Sequence, residues 1–201
     1  MQQLVQFASE KHAKPIALLH YQGLNQSFLR ELGIPFLTSM YRFFINHELV
    51  YVYLEGEDVK GFISASLSTN KVMRRFISKS PTGIVNIIIA VLKKPQLIKS
   101  ILETYKSPHT EQSGAPIDLP SVELLSIVVS DTARQGGVGT QLLSVLEAEL
   151  QRLQVRKYKV VAGAKLIGAN RFYLKNGFVK AVEIVIHGDD VSNVYVKELY
   201  R

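Results

Sequence analysis

The chain has 201 residues, of which 47% are hydrophobic and 20% charged, with a formal net charge of +7 and no cysteine. That length and balance suit one globular domain, residues 1–201, able to bury a sizeable core without staples. Without cysteine there is no disulfide framework, no zinc-thiolate site and no cysteine nucleophile.

The N-terminal stretch MQQLVQFASEKHAK has no basic segment followed by an apolar one, so no secretory leader is read and a cytoplasmic location is expected. QLVQFAS suits a first strand. Residues 10–47 then read as helices punctuated by Gly23 and by Gly33 with Pro35, and the cluster Tyr41, Phe43, Phe44 is expected to face the core. ELVYVYLE, a GED turn and VKGFISASLS predict a hairpin, rich in β-branched and aromatic residues.

Residues 70–106 return to a helical pattern broken at Pro81 and Pro95, and KSPHTEQSGAPIDLPS is a loop. VELLSIVVS is apolar on both faces and so predicts a central strand. From Val138, the residues Leu142, Leu146, Leu150 and Leu153 form one helical stripe. KYKVVAGA predicts a strand, GANRFYLKN a short helix stopped at Gly177, and FVKAVEIVIH with VSNVYVKEL a closing antiparallel pair. The expected fold is a mixed α/β sheet with helices packed on it.

The positive charge is concentrated. Eight basic residues (Lys71, Arg74, Arg75, Lys79, Lys93, Lys94, Lys99 and Lys106) stand against one acid, Glu103. Such a segment favours an anionic partner: a phosphorylated ligand, an anionic membrane surface or nucleic acid. The apolar run GIVNIIIAVLKK is too short to cross a bilayer, which takes about 20 residues, although it could lie at an interface. Few aromatics and no binding motif accompany the basic residues, so no nucleic-acid partner is expected.

The most informative stretch is ARQGGVGTQLL, a glycine-rich turn between the central strand and the long helix. No Lys-Ser or Lys-Thr follows the glycines, so it is not a P-loop. A dinucleotide fingerprint beginning at Gly137 would need a small residue where Leu142 stands. What fits is R-x-x-G-x-G, formed by Arg134, Gly137 and Gly139. There glycine lets the backbone approach a pyrophosphate, and a helix N-terminus adds free N–H groups and a favourable dipole.

In this motif the chain resembles the GNAT N-acetyltransferases. Two further features carry the resemblance. Glu123 lies eleven residues before Arg134, as the general-base glutamate does in the histone-acetylating branch of that family. ANRFYLKNGF matches the family's second motif at Phe172, Tyr173, Gly177 and Phe178, with Ala169 one position out of register and Leu166 where the motif's asparagine belongs.

The resemblance implies a mixed, mostly antiparallel sheet of about seven strands with helices on both faces. A basic helical insertion, about residues 70–120, would lie between the third and fourth strands. It also implies acetyl-CoA as co-substrate, no metal, and acetyl transfer to a primary amine by direct attack in a ternary complex. Tyr173 would protonate the leaving thiolate and Glu123 would serve as base. Main-chain groups of Ile127 and Val129 would pair with the pantetheine arm. Arg134, Gln135, Gly136, Gly137, Val138, Gly139 and Thr140 would hold the pyrophosphate, with Asn170 and Tyr173 as further cofactor contacts.

The acceptor is expected to be a small amine; SFLRELGIPFLTSMYRFF resembles acetyltransferases of bacterial cell-surface sugar pathways, which implies an amino-sugar nucleotide, and the insertion and the N-terminal helices are expected to shape its pocket. Alternatives are an inactive CoA-binding regulator, or a peripheral membrane protein using Lys71–Lys106. A monomer or a homodimer would suit either. The five histidines (His12, His20, His47, His109, His187) show no metal-ligand spacing.

Overall fold

A computed structural model describes residues 4–25, 27–93, 118–134, 136–187 and 190–200. Seven strands form one sheet: β1 (Val5–Phe7), β2 (Leu49–Glu55), β3 (Asp58–Ser66), β4 (Glu123–Val129), β5 (Lys157–Gly163), β6 (Val179–His187) and β7 (Asp190–Glu198). Their order across the sheet is β1-β2-β3-β4-β5-β7-β6, and β4–β5 is the one parallel pairing among the described residues. The mixed, mostly antiparallel sheet expected from the sequence is thus observed.

The helices are α1 (Ala13–Gly23), α2 (Phe28–Glu31), α3 (Gly33–His47), α4 (Thr69–Lys79), α5 (Pro81–Lys93), α6 (Val138–Arg152) and α7 (Ile167–Lys175). They cover both faces, because the central strands are apolar on both. Val50 and Val52 of β2 pack with α1 and α3, whereas Tyr51 and Tyr53 of the same strand belong to the opposite core with α6. This is the two-residue alternation of a strand. Tyr41 is fully buried in the first core, as its position in the sequence suggested.

On α6 the expected stripe is realised at Leu142, Leu146 and Leu150, all 0% exposed. Leu153 departs from it. The helix ends at Arg152, Gln154 takes a left-handed φ of 59°, and the reversal leaves Leu153 partly in solvent.

Between β3 and β4 comes the helical insertion. Ser80 interrupts it, its Oγ accepting the Gly83 N–H at 3.2 Å, and Pro81 starts α5. A side-chain acceptor followed by proline is a helix start, so Pro81 opens a helix here as well as closing one. Helix α4 is tied down by an ion pair from Arg75 to the buried Glu48, and by Phe76, whose ring meets Phe36 and Phe43 edge-on at 5.7 and 5.5 Å. The expected break at Pro95 and the loop leading to Asp118 lie outside the described residues, as do Lys94, Lys99 and Lys106. Among the described residues no helix is long and apolar enough to cross a membrane.

Candidate active site

Strands β4 and β5 are joined at two positions, Glu123↔Lys159 and Leu124↔Val160. Beyond Leu124 they separate. β4 stays paired with β3 on its other edge as far as Val129↔Gly61, so among the described residues the edge turned toward β5 has no strand partner at Ile127 and Val129. Unpaired strand groups need partners, and an extended ligand with amide groups can supply them.

The gap is a cavity of about 260 Å³. Its walls are Leu125 to Ile127 and Val129 on β4, Val160 to Gly163 on β5, and Ala169, Phe172 and Tyr173 on α7. Gly139 of α6 and Leu24, just beyond α1, also line it.

A β-bulge shapes the β4 wall. The register with β3 runs from Ala65↔Leu124 to Ser64↔Ser126, leaving Leu125 unmatched. Leu124, Ile127 and Val129 therefore face the α6 core, while Leu125 packs on the α1–α3 core. The extra residue re-aims the side chains that follow it.

The glycine loop meets the cavity at the start of α6. Gly137 has φ 74°, a left-handed conformation that favours glycine, and a β-carbon there would meet nothing within 4 Å. No side chain caps this helix end, and Gln141 is the residue whose N–H returns to the Gly137 carbonyl, at 3.0 Å. The N–H groups of Val138, Gly139 and Thr140 therefore have no partner within the helix and face outward with the dipole. Arg134, exposed, pairs with Asp131 at 2.6 Å. Gln135 lies outside the described residues. A β-carbon on Gly139 would stand 3.2 Å from the Phe172 ring, so glycine is what lets α6 and α7 meet across the cavity floor.

Tyr173 is 6% exposed and sits among Phe172, Phe178 and Tyr195. Burial pushes its phenol well above the usual range, so it stays protonated at neutral pH and can act as a proton donor at the cavity wall.

Residues 103–180 match the family described as "Acetyltransferase (GNAT) domain". That match spans 78 of the chain's 201 residues. Solved structures agree over nearly the whole length. An N-acetyltransferase from Staphylococcus aureus Mu50 is 17% identical, with TM-score 0.63 over 97% of this chain and 100% of that one. A GNAT-family acetyltransferase from Streptococcus pneumoniae is 15% identical, with TM-score 0.59 over 97% and 98%. Ard1 from Thermoplasma volcanium is 14% identical, with TM-score 0.60 over 98% and 97%. At these identities the likeness is one of fold. A search of curated proteins returned no match.

Two expected site residues are occupied by other groups of the protein. Glu123 lies at the closed end of the cleft, where its carboxylate faces the Lys159 ammonium at 3.3 Å. Lys159 also donates to the Pro120 carbonyl at 2.6 Å, both side chains are buried, and neither residue lines the cavity. The Asn170 amide donates to the carbonyls of Gly163, Ala164 and Leu166, while its oxygen accepts from Asn193 and Tyr195. Asn170 thereby pins the far end of β5 to α7 and β7, which helps to hold the cleft open.

The sequence reading did not single out the polar group between β4 and the helices α1 and α3. Ser126 hydrogen-bonds the Tyr41 hydroxyl, which lies 2.7 Å from Nδ1 of His20, and Nε2 of His20 lies 3.3 Å from Ser27 Oγ. His20 is 1% exposed, and desolvation lowers its pKa to about 4, so it is neutral near pH 7. The chain is satisfied when the His20 proton is on Nε2. These four residues come from α1, the α1–α2 link, α3 and β4, and no local spacing connects them. Among the described residues no group of His, Asp and Glu could hold a metal ion.

Residues 94–117 of the insertion lie outside the described residues. Residues of α4 and α5 pack on α3, and none lines the cavity.

Proposed function

We propose that this protein transfers the acetyl group of acetyl-CoA to a primary amine by direct attack in a ternary complex. The carrying observation is the divergence of β4 from β5 after two paired residues, which exposes a strand edge ending at an uncapped helix N-terminus. Acetyl-CoA has the matching parts: a pantetheine arm with amide groups at strand-like spacing, and a pyrophosphate.

In this reading the main chain of Ile127 and Val129 receives the arm. Arg134 and the amides from Gly136 to Thr140, with Gln135, hold the pyrophosphate. Open space at Gly137 fits the close approach of a phosphate. The amine nitrogen attacks the thioester carbonyl carbon, the C–S bond breaks, and Tyr173 gives its proton to the departing thiolate.

Glu123 is the base of this scheme, reached through water; its buried Oε2 has the Lys159 ammonium 3.3 Å away. Asn170 supports the β5 wall and, in the scheme, bounds the cofactor site. The proposed acceptor is an amine on an anionic small molecule, such as an amino-sugar nucleotide, a choice supported by the net charge of +7.

The test is calorimetric titration with acetyl-CoA, using ATP and NADP as controls and Gly137→Glu as the variant. Selective binding lost in Gly137→Glu is the expected result. A folded protein that binds no acetyl-CoA would sink the reading.

A further inference from the structure

Helix α5 has two unlike faces. One is docked: Asn86 donates to Ser39 Oγ at 2.9 Å, and Ile87, Ala90 and Val91 pack against the core built on α3. The other is apolar and open to solvent, with Ile84 38%, Val85 53%, Ile88 52%, Ile89 44% and Leu92 76% exposed. Positions 84, 88 and 92, with 85 and 89 beside them, follow the four-residue spacing of a single helical stripe. Scattered exposed apolar residues need no explanation, but five on one stripe mark an interaction surface.

The charge beside it indicates the partner. From Thr69 to Lys93 there is no Asp or Glu. Lys71, Arg74 and Lys79 are exposed, whereas Arg75 is paired with Glu48. Lys79 precedes the stripe and Lys93 ends the helix.

We propose that the α4–α5 hairpin docks on an anionic lipid surface, with the α5 stripe at the level where headgroups meet acyl chains and Lys71, Arg74 and Lys79 against the headgroups. A helix of 13 residues is about 20 Å long, short of the roughly 30 Å hydrocarbon core, so it lies in the plane of the interface. A second copy of the chain fits this face less well. A two-fold contact along α5 would set the basic ends of the two copies against each other with no acid on either hairpin to compensate.

The test is sedimentation of the full chain with vesicles of phosphatidylcholine alone or mixed with phosphatidylglycerol. Binding is expected to the mixed vesicles and not to phosphatidylcholine. It should fall roughly tenfold or more in Ile88→Glu and in Lys79→Glu/Lys93→Glu, and weaken as salt is raised. Circular dichroism confirms that the variants fold, the changed side chain of Ile88 being at the surface. Three results would overturn the proposal. One is no sedimentation with anionic vesicles, and another is binding unchanged in Ile88→Glu. The third is a dimer, seen by light scattering and dispersed by Ile88→Glu, without vesicle binding, which would give the face to a second copy. Acetyl-CoA titration of the same samples reports separately on the active site.

Discussion

Glu123 and Lys159 face each other across the parallel strand pair, their charged groups 3.3 Å apart, at the point where β4 and β5 begin to separate. Both side chains are buried, so neither charge is tolerable alone. The pair closes the end of the cleft that lies above it.

That geometry predicts an asymmetric mutational response. Lys159→Met strands a buried carboxylate and should destabilise the fold by about 3–5 kcal/mol. The double change Glu123→Leu/Lys159→Met removes both charges and should recover to within about 1 kcal/mol of the parent protein. Urea midpoints of the three proteins check this. Equal loss in the single and double variants would show that packing, and not the charge pair, matters there.

Tyr173 should matter to chemistry more than to binding. Its ring is fixed by Phe178 and Tyr195 at centroid distances of 5.4 and 5.9 Å, so Tyr173→Phe removes a proton and leaves the packing. Acceptor-dependent thiol release should drop by about a hundredfold while acetyl-CoA affinity stays the same. A loss of affinity with kcat retained would assign the hydroxyl to binding.

Gly139 tests the contact between α6 and α7. A valine there pushes on the Phe172 ring from 3.2 Å, shifting the helix N-terminus against the cavity wall. Acetyl-CoA binding by Gly139→Val should weaken by roughly tenfold or more, because main-chain positions at such a site tolerate little displacement. Unchanged affinity by calorimetry would mean that α7 yields freely.

His20 makes stability depend on pH. It is buried neutral with a pKa lowered from 6.5 to about 4, so the unfolded chain binds its proton more readily than the folded one. The stabilisation is complete above about pH 6.5 and is lost as pH falls toward 4, with a slope of at most about 1.4 kcal/mol per pH unit. His12, lowered by burial and then by Lys11, acts in the same direction, so the informative quantity is a difference. The urea midpoint of His20→Gln should fall less between pH 7 and pH 5 than that of the parent. Parallel curves would exclude His20 as the source.

Much of the fold was readable in order along the chain. The hairpin of β2 and β3, the stripe of α6 and the closing strands follow from alternation and helical spacing, which depend on neighbours a few residues apart. The glycine loop was readable for the same reason: Gly137 and Gly139 are two residues apart, and their demand for space is local. The limits of local reading show at Leu153, where the stripe predicts burial but a left-handed Gln154 turns the chain away. They show again at Asn170, whose partners on β5 and β7 are brought together by the sheet.

Local sequence thus encodes the set of elements and the glycine turn, since both depend on short-range periodicity and on residues that permit particular backbone angles. The tertiary structure alone decided the cleft between β4 and β5, the burial of Glu123 against Lys159, and the alignment of Ser126, Tyr41 and His20 from three separate elements. It also decided that α4 and α5 lie on α3, away from the cavity, with a bare apolar stripe. Strand partners, a one-residue bulge and helix docking are contacts between distant segments, and their energies depend on the assembled sheet.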